Sequence, residues 1–516
     1  MGSATNRTSA RSRATTGADS QREAPLRMDT EAFRRAGHAL VDSIATFLDS
    51  VPERPVTRGE SPEEIRSALD AKRTLPDKGD DAAALLRDAS RLLYEHSLLN
   101  GHPRFFGYIT SSPAPIGMLA DLLASAVNPN VGAWRLSPMA SEIEAQTIRW
   151  IAELVGYPTS CGGLLVSGGN MANIVGLFAA RAAAAQWDVR TAGVAASAAR
   201  PLRVYASKET HTWLQKAADL SGLGTDSVRW ITTDDDLRMD VAELRAAVER
   251  DRAAGDLPMM VVGTAGSVST GAVDPLTELA ELCQRERIWF HVDGAYGAFA
   301  AALLDAPAEL RSLSLADSVA MDPHKWLYAP LEVGCVLVRD AERLRNAFSY
   351  HPPYYHFGQE ATNFVDLGPQ NSRGFRALKV WLALRQVGRE GYVRMIGDDV
   401  RLAGSLHAVV TEHPDLEPFT LALSISTFRY VPRDLRSRLG EDDVEHYLDA
   451  LNKELLERIQ LSGEAFVSNA VIRGRYVLRA CIVNFNTTPA DVESLPDIVA
   501  RIGRDVDSAI RPRAQL

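Results

Sequence analysis

Four short polar segments follow apolar runs of the sequence and carry side chains that could do chemistry. They contain a Gly-Gly-Asn turn at residues 168–170, then His211, Asp293 and Lys325. A glycine-rich turn at the start of a helix exposes backbone N–H groups that bind phosphate. A buried lysine amine is a nucleophile that can form a Schiff base with an aldehyde. Each feature alone also has an ordinary structural explanation, as a turn, a helix cap or a lysine that reaches solvent.

The four segments together match the requirements of one cofactor, pyridoxal 5′-phosphate. Its phosphate needs an anion-binding turn, its ring a stacking partner, its pyridine nitrogen a carboxylate and its aldehyde a lysine. The turn at residues 168–170, His211, Asp293 and Lys325 offer these groups in that order. The prediction requires that all four lie at one edge of one sheet.

The central part of the chain, from about residue 101 to residue 388, alternates short apolar runs with amphipathic stretches. This alternation predicts an α/β fold with a mainly parallel sheet that is covered by helices on both faces. Ligands bind such a sheet at the carboxyl ends of its strands, which is where the four segments occur. The predicted strands are residues 164–166, 204–206, 228–231, 259–263, 288–292, 318–320 and 335–338.

Helices dominate the first part of the chain, and a smaller α+β arrangement follows the central part. Apolar residues recur at helical spacing from about Met28, and a second helix is predicted near residues 82–98. Two such helices cannot bury both faces alone, so we expect them to pack on another domain or a second subunit. Beyond Tyr392 the sequence predicts a helix, a strand at 425–430, a helix at 444–459, a strand pair through 475–486 and a last helix from 490.

Composition argues against several other classes of protein. The chain of 516 residues has 56 basic and 66 acidic side chains, a net charge of −10, which argues against nucleic acid as a partner. No apolar stretch has the character of a membrane span, and the first 27 residues have the composition of a disordered tail. The four cysteines stand far apart, so we expect no disulfide framework and no metal site. Buried thiols in a reducing cytoplasm are the simplest interpretation.

The most specific motif of the sequence is Pro-His-Lys-Trp-Leu at residues 323–327, which contains Lys325. It is accompanied by His-Val-Asp at 291–293, Gly-His-Pro-Arg-Phe-Phe at 101–106, Ser-Pro at 137–138 with Glu142 and Glu144, and Ser-Arg-Gly-Phe-Arg-Ala-Leu-Lys at 372–379. In these motifs the chain resembles the group II pyridoxal-phosphate-dependent amino-acid decarboxylases, and most closely their aromatic-L-amino-acid branch. The similarity runs from about Met28 to the final helix.

This resemblance implies the PLP-dependent transferase fold type I, with a mainly parallel seven-stranded sheet. It also implies a homodimer whose active sites lie at the subunit interface. The corresponding division of the chain is a disordered tail at residues 1–27, an N-terminal helical flap at 28–112, a large cofactor domain at 113–390 and a small C-terminal domain at 391–516.

The resemblance also gives expected roles to residues of the four segments. Lys325 would hold the cofactor covalently, Asp293 would pair with its pyridinium, and His211 would stack on one face of its ring. Ala295 would lie against the other face. The remaining predicted cofactor contacts are Gly169, Asn170 and His324 at the phosphate and Ser267 near the ring or Asp293.

The family uses a loop tyrosine to return a proton to the α-carbon after CO2 has left. The alignment points to Tyr354 for this role, with Tyr355 as the alternative. Tyr108, Ile109 and Thr110 correspond to the stretch that lines the substrate side chain. Ile109 and Thr110 stand where the aromatic branch has an aromatic residue and a proline, so the floor of this pocket differs.

Three other positions depart from the family pattern or remain open. Asp322 stands where the animal enzymes have asparagine, and Asn170 stands where a small hydroxyl residue or alanine is common. Arg479 is a candidate clamp for the substrate carboxylate. A structural role is favoured for it, because a carboxylate that leaves gains little from tight binding before the reaction.

The leading hypothesis is α-decarboxylation of an L-amino acid to its amine and CO2. An aromatic substrate is favoured because Trp326 follows Lys325, and a branched aliphatic substrate is the main alternative because of Ile109. A second alternative is decarboxylation coupled to oxidative deamination, which gives an aldehyde; the retained Tyr354 argues against it. A catalytically silent binding protein is the remote alternative, since neither Lys325 nor Asp293 is missing.

Overall fold

The computed structural model describes residues 24–197, 200–350 and 361–511 of the chain. The predicted tail therefore lies outside the described residues over positions 1–23, as do Tyr354 and Tyr355. Contacts divide the chain into two units. One comprises the residues up to Ser50 together with Ala68–Glu95, and the other comprises Val51–Ser67 together with the chain from His96 onward.

Helices and strands are numbered here in chain order. The helices are α1 (Thr30–Ser50), α2 (Pro62–Ala68), α3 (Ala82–His96), α4 (Pro115–Val127), α5 (Pro138–Leu154), α6 (Gly169–Ala184), α7 (Val189–Ala192), α8 (Trp213–Leu220), α9 (Val241–Ala253), α10 (Leu276–Glu286), α11 (Pro323–Trp326), α12 (Ala341–Phe348), α13 (Ala377–Glu412), α14 (Asp442–Ser462) and α15 (Pro489–Ile510). The strands are β1 (Gly162–Val166), β2 (Leu202–Ser207), β3 (Val228–Ile231), β4 (Leu257–Thr264), β5 (Trp289–Asp293), β6 (Ser318–Met321), β7 (Gly334–Val338), β8 (Leu416–Ala422), β9 (Ile425–Tyr430), β10 (Ser468–Ile472) and β11 (Arg475–Cys481).

The first unit contains α1 and nearly all of α3, the two helices that apolar periodicity predicts. The rings of Phe47 and Tyr94 stack with their centroids 4.2 Å apart, which joins the two helices. No residue of α1 is buried, and Phe33 and Leu93 are 63% and 64% exposed. Packing of these apolar side chains on a second subunit stays a prediction.

A seven-stranded sheet in the order β1-β7-β6-β5-β4-β2-β3 forms the centre of the second unit. Strands β2 to β6 pair in parallel, whereas β7 is antiparallel to both of its neighbours, β1 and β6. All seven predicted strands are confirmed, and so is the mainly parallel α/β fold. Such strands are buried on both faces, so their near-continuous apolar runs were a reliable signal.

The strand register brings distant parts of the sequence together at the carboxyl edge of this sheet. Thr264 at the end of β4 pairs with Asp293 at the end of β5, and Asp293 pairs with Ala320 of β6. Asp322 follows β6 directly, and helix α6 begins at Gly169, just beyond β1. The edge that binds ligands in such sheets therefore carries the predicted reactive groups.

A four-stranded antiparallel sheet in the order β10-β11-β9-β8 forms a second, smaller core with α14 and α15. One prediction for this region is wrong, because the strand pair expected through 475–486 lies at β10 and β11, and the sequence analysis missed β8. Strand β8 is an edge strand that contains Pro418 and an irregular register, and edge strands tolerate proline. Residues of β10 are alternately buried and exposed, and one of the buried residues is the polar Ser468. The strand therefore lacks the apolar run by which the other strands were predicted.

Helix α13 joins the cores of the two sheets. It bends at Gly388, whose φ of 67° and ψ of 170° are not helical and are accessible to glycine at little cost. Its side chains up to Ile396 join the core of the large sheet, and those from Leu402 onward join the core of the small one. The predicted boundary after residue 390 lies within this helix.

In the described part of the chain, no helix has both the length and the apolar character that a membrane crossing requires.

Candidate active site

A cavity of about 280 Å³ opens at the carboxyl ends of β4 and β5. Its lining includes Lys325, Asp293, His211, Gly169 and Asn170. These residues come from the four separate segments that the sequence marks as reactive. The requirement that all four segments meet at one edge of the sheet is therefore satisfied.

Lys325 is held by a short, firmly anchored helix, α11. Its Nζ lies 3.0 Å from Asp322 Oδ2. On the side away from the cavity lining, Trp326 Nε1 and the Tyr328 hydroxyl both donate to Asp399 Oδ2, at 2.8 and 2.7 Å. Burial raises the pKa of Asp399 to about 7, although these two hydrogen bonds oppose the shift. The hydrogen bonds of Trp326 and Tyr328 to Asp399 thus fix the backbone from which Lys325 projects.

Asp293 is a buried carboxylate that has hydrogen bonds but no cation beside it. Its Oδ2 accepts a hydrogen bond from Trp213 Nε1 at 2.8 Å, and its Oδ1 accepts one from the Ala295 N–H at 3.2 Å. Within the residues that the structure describes it forms no ion pair, although it is only 7% exposed. Buried carboxylates are normally paired, so this one is arranged for a cationic ligand.

His211 precedes α8 and presents its ring to the cavity. Its Nδ1 accepts a hydrogen bond from the Trp213 N–H at 3.3 Å, so the neutral ring carries its proton on Nε2. Loss of water from around the ring lowers the pKa of His211, and the nearby Lys325 adds to this while Asp293 opposes it. At neutral pH the imidazole is therefore a flat, uncharged surface, which suits stacking on a pyridine ring.

The turn before α6 leaves no room for a side chain at Gly169. A Cβ there would lie 2.7 Å from Asp322 Oδ2 and 3.0 Å from the Ala295 Cβ. Gly168 has a φ of 135°, which favours glycine, and its side-chain-free N-cap leaves the first N–H groups of α6 for a ligand. The turn is therefore a cradle of the kind that a phosphate occupies at a helix start.

Thr264 is a cavity residue that the sequence analysis missed. Its Oγ1 is buried without a hydrogen-bond partner in the described part of the chain. The strand-end argument that selected Asp293 would also have selected Thr264, which ends β4. Ser267, chosen instead, does not line the cavity, and its hydroxyl is bonded to Thr270 Oγ1 at 2.8 Å. A cofactor contact by Ser267 stays a prediction.

Other predicted contacts lie at or beyond the border of the cavity. Tyr108 and Ile109 line it, whereas Thr110 and His324 do not. His324 Nδ1 donates to the Val333 carbonyl at 2.7 Å, and its Cε1 lies 3.6 Å from the place of a Cβ on Gly168. The predicted roles of Thr110 and His324 remain predictions, as do those of Tyr354 and Tyr355, which lie outside the described residues.

A buried chain of hydrogen bonds leads through the sheet to the cavity and ends at Asn173. Trp289 Nε1 donates to Ser318 Oγ at 2.8 Å, so the serine hydroxyl donates in turn to His291 Nδ1 at 2.7 Å. His291 Nε2 then donates to Asn173 Oδ1 at 2.7 Å. Burial lowers the pKa of His291 to about 4, which keeps the ring neutral. The hydrogen bonds therefore run in one direction, from Trp289 to Asn173 at the cavity wall. Asn173 is a second cavity residue that the sequence analysis missed.

Besides Asp293, two charged side chains of the cavity have no oppositely charged partner among the described residues. Arg479 is 3% exposed, donates through Nη1 to the Val268 carbonyl and leaves its Nε without a partner. Glu209 also lines the cavity, and burial raises its pKa against a hydrogen bond with Ser269. The cavity therefore offers a cation and an anion that the fold itself does not neutralise.

These features fit pyridoxal 5′-phosphate. The cavity supplies a lysine amine, a buried carboxylate, a glycine cradle at a helix start and the hydroxyl of Thr264; within the residues that the structure describes, the carboxylate has no cation and the hydroxyl no hydrogen-bond partner. The first three match the aldehyde, the pyridine nitrogen and the phosphate of the cofactor.

Comparisons with known proteins agree with this fit. The family model described as pyridoxal-dependent decarboxylase conserved domain matches residues 62–428. An aromatic-L-amino-acid decarboxylase of Bacillus atrophaeus is 34% identical over 90% of this chain and 94% of the relative. A phenylacetaldehyde synthase of Arabidopsis thaliana is 30% identical over 88% of this chain and 92% of the relative. The crystal structure of Oryza sativa TDC with PLP and tryptamine superposes with a TM-score of 0.86 at 28% identity, covering 94% of this chain and 99% of that chain.

Proposed function

Because this chain belongs to the pyridoxal-dependent decarboxylase family, we propose that it removes the α-carboxyl group of an aromatic L-amino acid as CO2 and releases the corresponding amine. One observation carries the proposal: a single cavity is lined by Lys325 and by two charged side chains, Asp293 and Arg479, that form no ion pair within the described residues. These are the groups needed to hold the cofactor, to keep its ring cationic and to bind a carboxylate.

Pyridoxal 5′-phosphate would be held through the amine of Lys325, with its phosphate at the start of α6 and its ring between His211 and Ala295. When bound, the cofactor supplies an electron sink for the bond that breaks at the α-carbon. Asp293 maintains that sink by holding a proton on the ring nitrogen. At ~3 Å and an effective dielectric constant near 20, the attraction is roughly 5 kcal/mol before desolvation offsets part of it.

Arg479 would orient the substrate by binding its α-carboxylate. A guanidinium fixed by its bond to the Val268 carbonyl places the carboxylate in one position before the reaction starts. Its contribution is orientation more than affinity, since tight binding of the leaving group in the ground state would slow its departure. This role differs from the structural one that the sequence alone favours.

The aromatic preference rests on the cavity wall and on the named relatives. Tyr108, Ile109 and Val268 give the cavity an apolar surface. One relative is named for aromatic L-amino acids, and one superposed structure contains tryptamine. Ile109 differs from the aromatic residue of that branch, so a branched aliphatic amino acid is the alternative substrate.

The remaining parts of the proposal concern the proton donor, the assembly and the compartment. We propose Tyr354 as the donor to the α-carbon, with Tyr355 as the alternative.

A homodimer with shared active sites is supported by exposed apolar residues on α4, where Leu119, Leu122 and Leu123 are 54%, 56% and 52% exposed. A cytoplasmic location agrees with the four free cysteines, three of which are buried.

The second candidate function is decarboxylation coupled to oxidative deamination, which yields an aldehyde, ammonia and peroxide. The similarity to a phenylacetaldehyde synthase favours its consideration. The tyrosine at position 354 argues against it, because the resemblance associates the aldehyde-forming activity of plant relatives with phenylalanine there.

The test is incubation of the purified enzyme with each of the twenty common L-amino acids. CO2, amine, aldehyde, ammonia and peroxide are measured in parallel, so both candidate reactions are read at once. We expect CO2 and amine in equal amounts from an aromatic substrate, and neither from Lys325→Ala, which should also lose the absorbance of the bound cofactor. Full amine yield from Lys325→Ala would refute the assignment of Lys325, and equal amounts of ammonia and aldehyde would favour the second candidate.

A further inference from the structure

Asp322 places a second carboxylate directly beside the amine of Lys325. Its Oδ2 lies 3.0 Å from Lys325 Nζ, and the residue is only 3% exposed. Its other oxygen, Oδ1, is buried without a hydrogen-bond partner in the part of the chain that the structure describes. This oxygen lies 3.7 Å from His324 Nδ1, whose own proton is donated to the Val333 carbonyl.

The position of Asp322 is not explained by helix capping. Aspartate before a short Pro-initiated helix commonly caps it by accepting a hydrogen bond from a backbone N–H. Asp322 stands at the N-cap of α11, yet its side chain makes no capping bond. The carboxylate is turned toward Lys325 and toward Gly169, where it lies 2.7 Å from the place of a missing Cβ. A buried charge held there without a capping role needs another explanation.

We propose that Asp322 is the counter-ion of Lys325, a positioning residue that holds the amine as an ammonium whenever it is not bonded to the cofactor. The proposal rests on the proposed function, in which Lys325 carries the cofactor. To bond, the ammonium gives up one proton, its nitrogen forms a C=N bond to the aldehyde carbon, and the carbonyl oxygen leaves as water. Asp322 therefore offsets the cost of burying the ammonium and holds Nζ in one place until it reacts.

The other groups that face Lys325 do not replace this role. Among the described residues, Asp322 alone forms an ion pair with Lys325. Asp293 on β5 is directed to Trp213 and the ring site, and His211 and His324 have pKa values lowered by burial, so both are neutral. Burial raises the pKa of the Cys481 thiol on β11 to about 11, so it also carries no charge near neutral pH.

The experiment measures the reactivity of Lys325 directly in the full chain freed of cofactor. The protein is labelled briefly with acetic anhydride over a range of pH, and acetylation of Lys325 is followed by mass spectrometry. We expect half-maximal labelling to move to lower pH by at least about one unit in Asp322→Asn, because the neutral amide cannot stabilise the ammonium. Asparagine has nearly the same shape, and the resemblance places it at this position in animal enzymes, so the fold should be retained.

Asp317→Asn is the matched control, because it removes a half-buried carboxylate that directly precedes β6 but does not line the cavity. Its labelling curve should coincide with that of the unaltered chain. Asp322→Ser is a second variant in case the amide perturbs folding. A labelling curve of the Asp322 variants that coincides with that of the unaltered chain would overturn the proposal. Because labelling needs no cofactor, failure of the proposed function would appear separately, as a chain that never takes up pyridoxal 5′-phosphate.

A second readout uses the loaded enzyme. The absorbance of the bound cofactor is followed against pH in the unaltered enzyme and in Asp322→Asn. A negative charge beside Nζ favours a proton on that nitrogen, so the pH of the absorbance change should fall by about one unit or more in the variant. An unchanged absorbance profile together with full cofactor content would also contradict the counter-ion role.

Discussion

Two arginines on neighbouring strands of the small sheet, Arg429 on β9 and Arg479 on β11, have opposite surroundings. Both side chains are almost fully buried, with exposures of 2% and 3%. Arg429 donates to Glu417 Oε2 and to Glu445 Oε2, each at 2.6 Å. Arg479 has no carboxylate partner in the described part of the chain and donates only to the Val268 carbonyl.

The pKa values of the two guanidinium groups reflect this difference. Burial alone would lower the pKa of Arg429, but its hydrogen bonds to Glu445 and Glu417 outweigh burial and raise it. Burial lowers the pKa of Arg479, and no carboxylate of the described residues opposes this shift. Desolvating a cation costs several kcal/mol unless an anion compensates. Glu417 and Glu445 offset the cost of burying the charge of Arg429. The charge of Arg479 would be offset by the carboxylate of a bound ligand.

Two buried carboxylates, Glu144 on α5 and Asp293 on β5, show the same difference between a paired and an unpaired charge. Glu144 forms an ion pair with Arg373, which also donates to the Leu165 carbonyl at 2.7 Å and so clamps β1. Asp293 has no such cation among the described residues. Charges that hold the structure together are neutralised within the chain, whereas Asp293 and Arg479, which face the cavity, form no ion pair within the described residues. Substitutions in the two classes should therefore have opposite effects on stability and on catalysis.

The largest expected effect is on catalysis, in Asp293→Asn. We expect kcat/KM to fall about 1000-fold, roughly 4 kcal/mol, because the ring nitrogen of the cofactor loses its anionic partner. The free energy of unfolding should change by less than about 1 kcal/mol, since the amide oxygen can still accept the bond from Trp213 Nε1. Steady-state kinetics and urea unfolding measure the two quantities. A kcat/KM within tenfold of the original would show that Asp293 does not act on the cofactor.

The next effect is on stability, in Glu445→Gln. Removing this carboxylate leaves Arg429 without its most buried partner, and we expect the free energy of unfolding to fall by about 3 kcal/mol. The activity of the folded enzyme should be unchanged, because Glu445 lies outside the cavity lining. Glu417→Gln is the matched control and should cost less, since the Glu417 side chain is 28% exposed against 4% for Glu445. Equal losses from the two substitutions would contradict the role given to burial.

A single substitution made at both arginines tests the comparison most directly. Arg479→Met should lower kcat/KM about 30-fold, roughly 2 kcal/mol, mainly through kcat, because the substrate carboxylate loses the charged hydrogen bonds that orient it. It should leave the free energy of unfolding unchanged or increase it, since methionine removes a buried charge that had no partner. Arg429→Met should instead destabilise the chain, because Glu417 loses its cation and Glu445 keeps only its ion pair with the more exposed Arg475. If both variants lose the same stability, Arg479 is structural, as the sequence alone suggests.

The sequence was sufficient to predict the fold of the large sheet, because its strands are apolar on both faces. Strand β4 is a buried run that ends at Thr264, and β5 ends at Asp293, so strand ends also located the reactive edge. Strand β8 escaped prediction because an edge strand with Pro418 lacks this signal. Local sequence therefore predicts strands with a compact apolar run, including the edge strands β1 and β3, better than a strand such as β8 that proline and polar residues interrupt.

The candidate site was predictable where one motif carries the chemistry and not where partners come from distant segments. Lys325 stands in a distinctive motif, and Asp293 ends an apolar run. Trp213 bonds Asp293 across 80 positions of the chain, and Asn173 meets His291 across 118 positions. No local pattern signals such pairs, because only the strand register brings them together.

The smallest expected effect concerns His291, which stands between the structural groups and the cavity groups. Both of its ring nitrogens are hydrogen-bonded within the chain, and one of its partners, Asn173, lines the cavity. Its pKa is lowered to about 4 by burial, whereas in the unfolded chain it is ordinary, near 6.5. The folded form therefore disfavours the proton. The stability that the neutral ring contributes is complete above pH ~6.5 and is lost as pH falls toward about 4.

Between pH 6.5 and pH 5.5 this linkage should lower the free energy of unfolding by roughly 1 kcal/mol. His291→Gln, which keeps a donor and an acceptor but cannot titrate, should lack that part of the pH dependence. Urea unfolding at the two pH values measures it, and the difference between the two proteins isolates His291 because all other titrating groups are common to both. Parallel pH dependence of the two proteins would mean that His291 is protonated in the folded chain. The hydrogen-bond direction from Trp289 to Asn173 would then be wrong, since a protonated ring cannot accept the Ser318 proton at Nδ1.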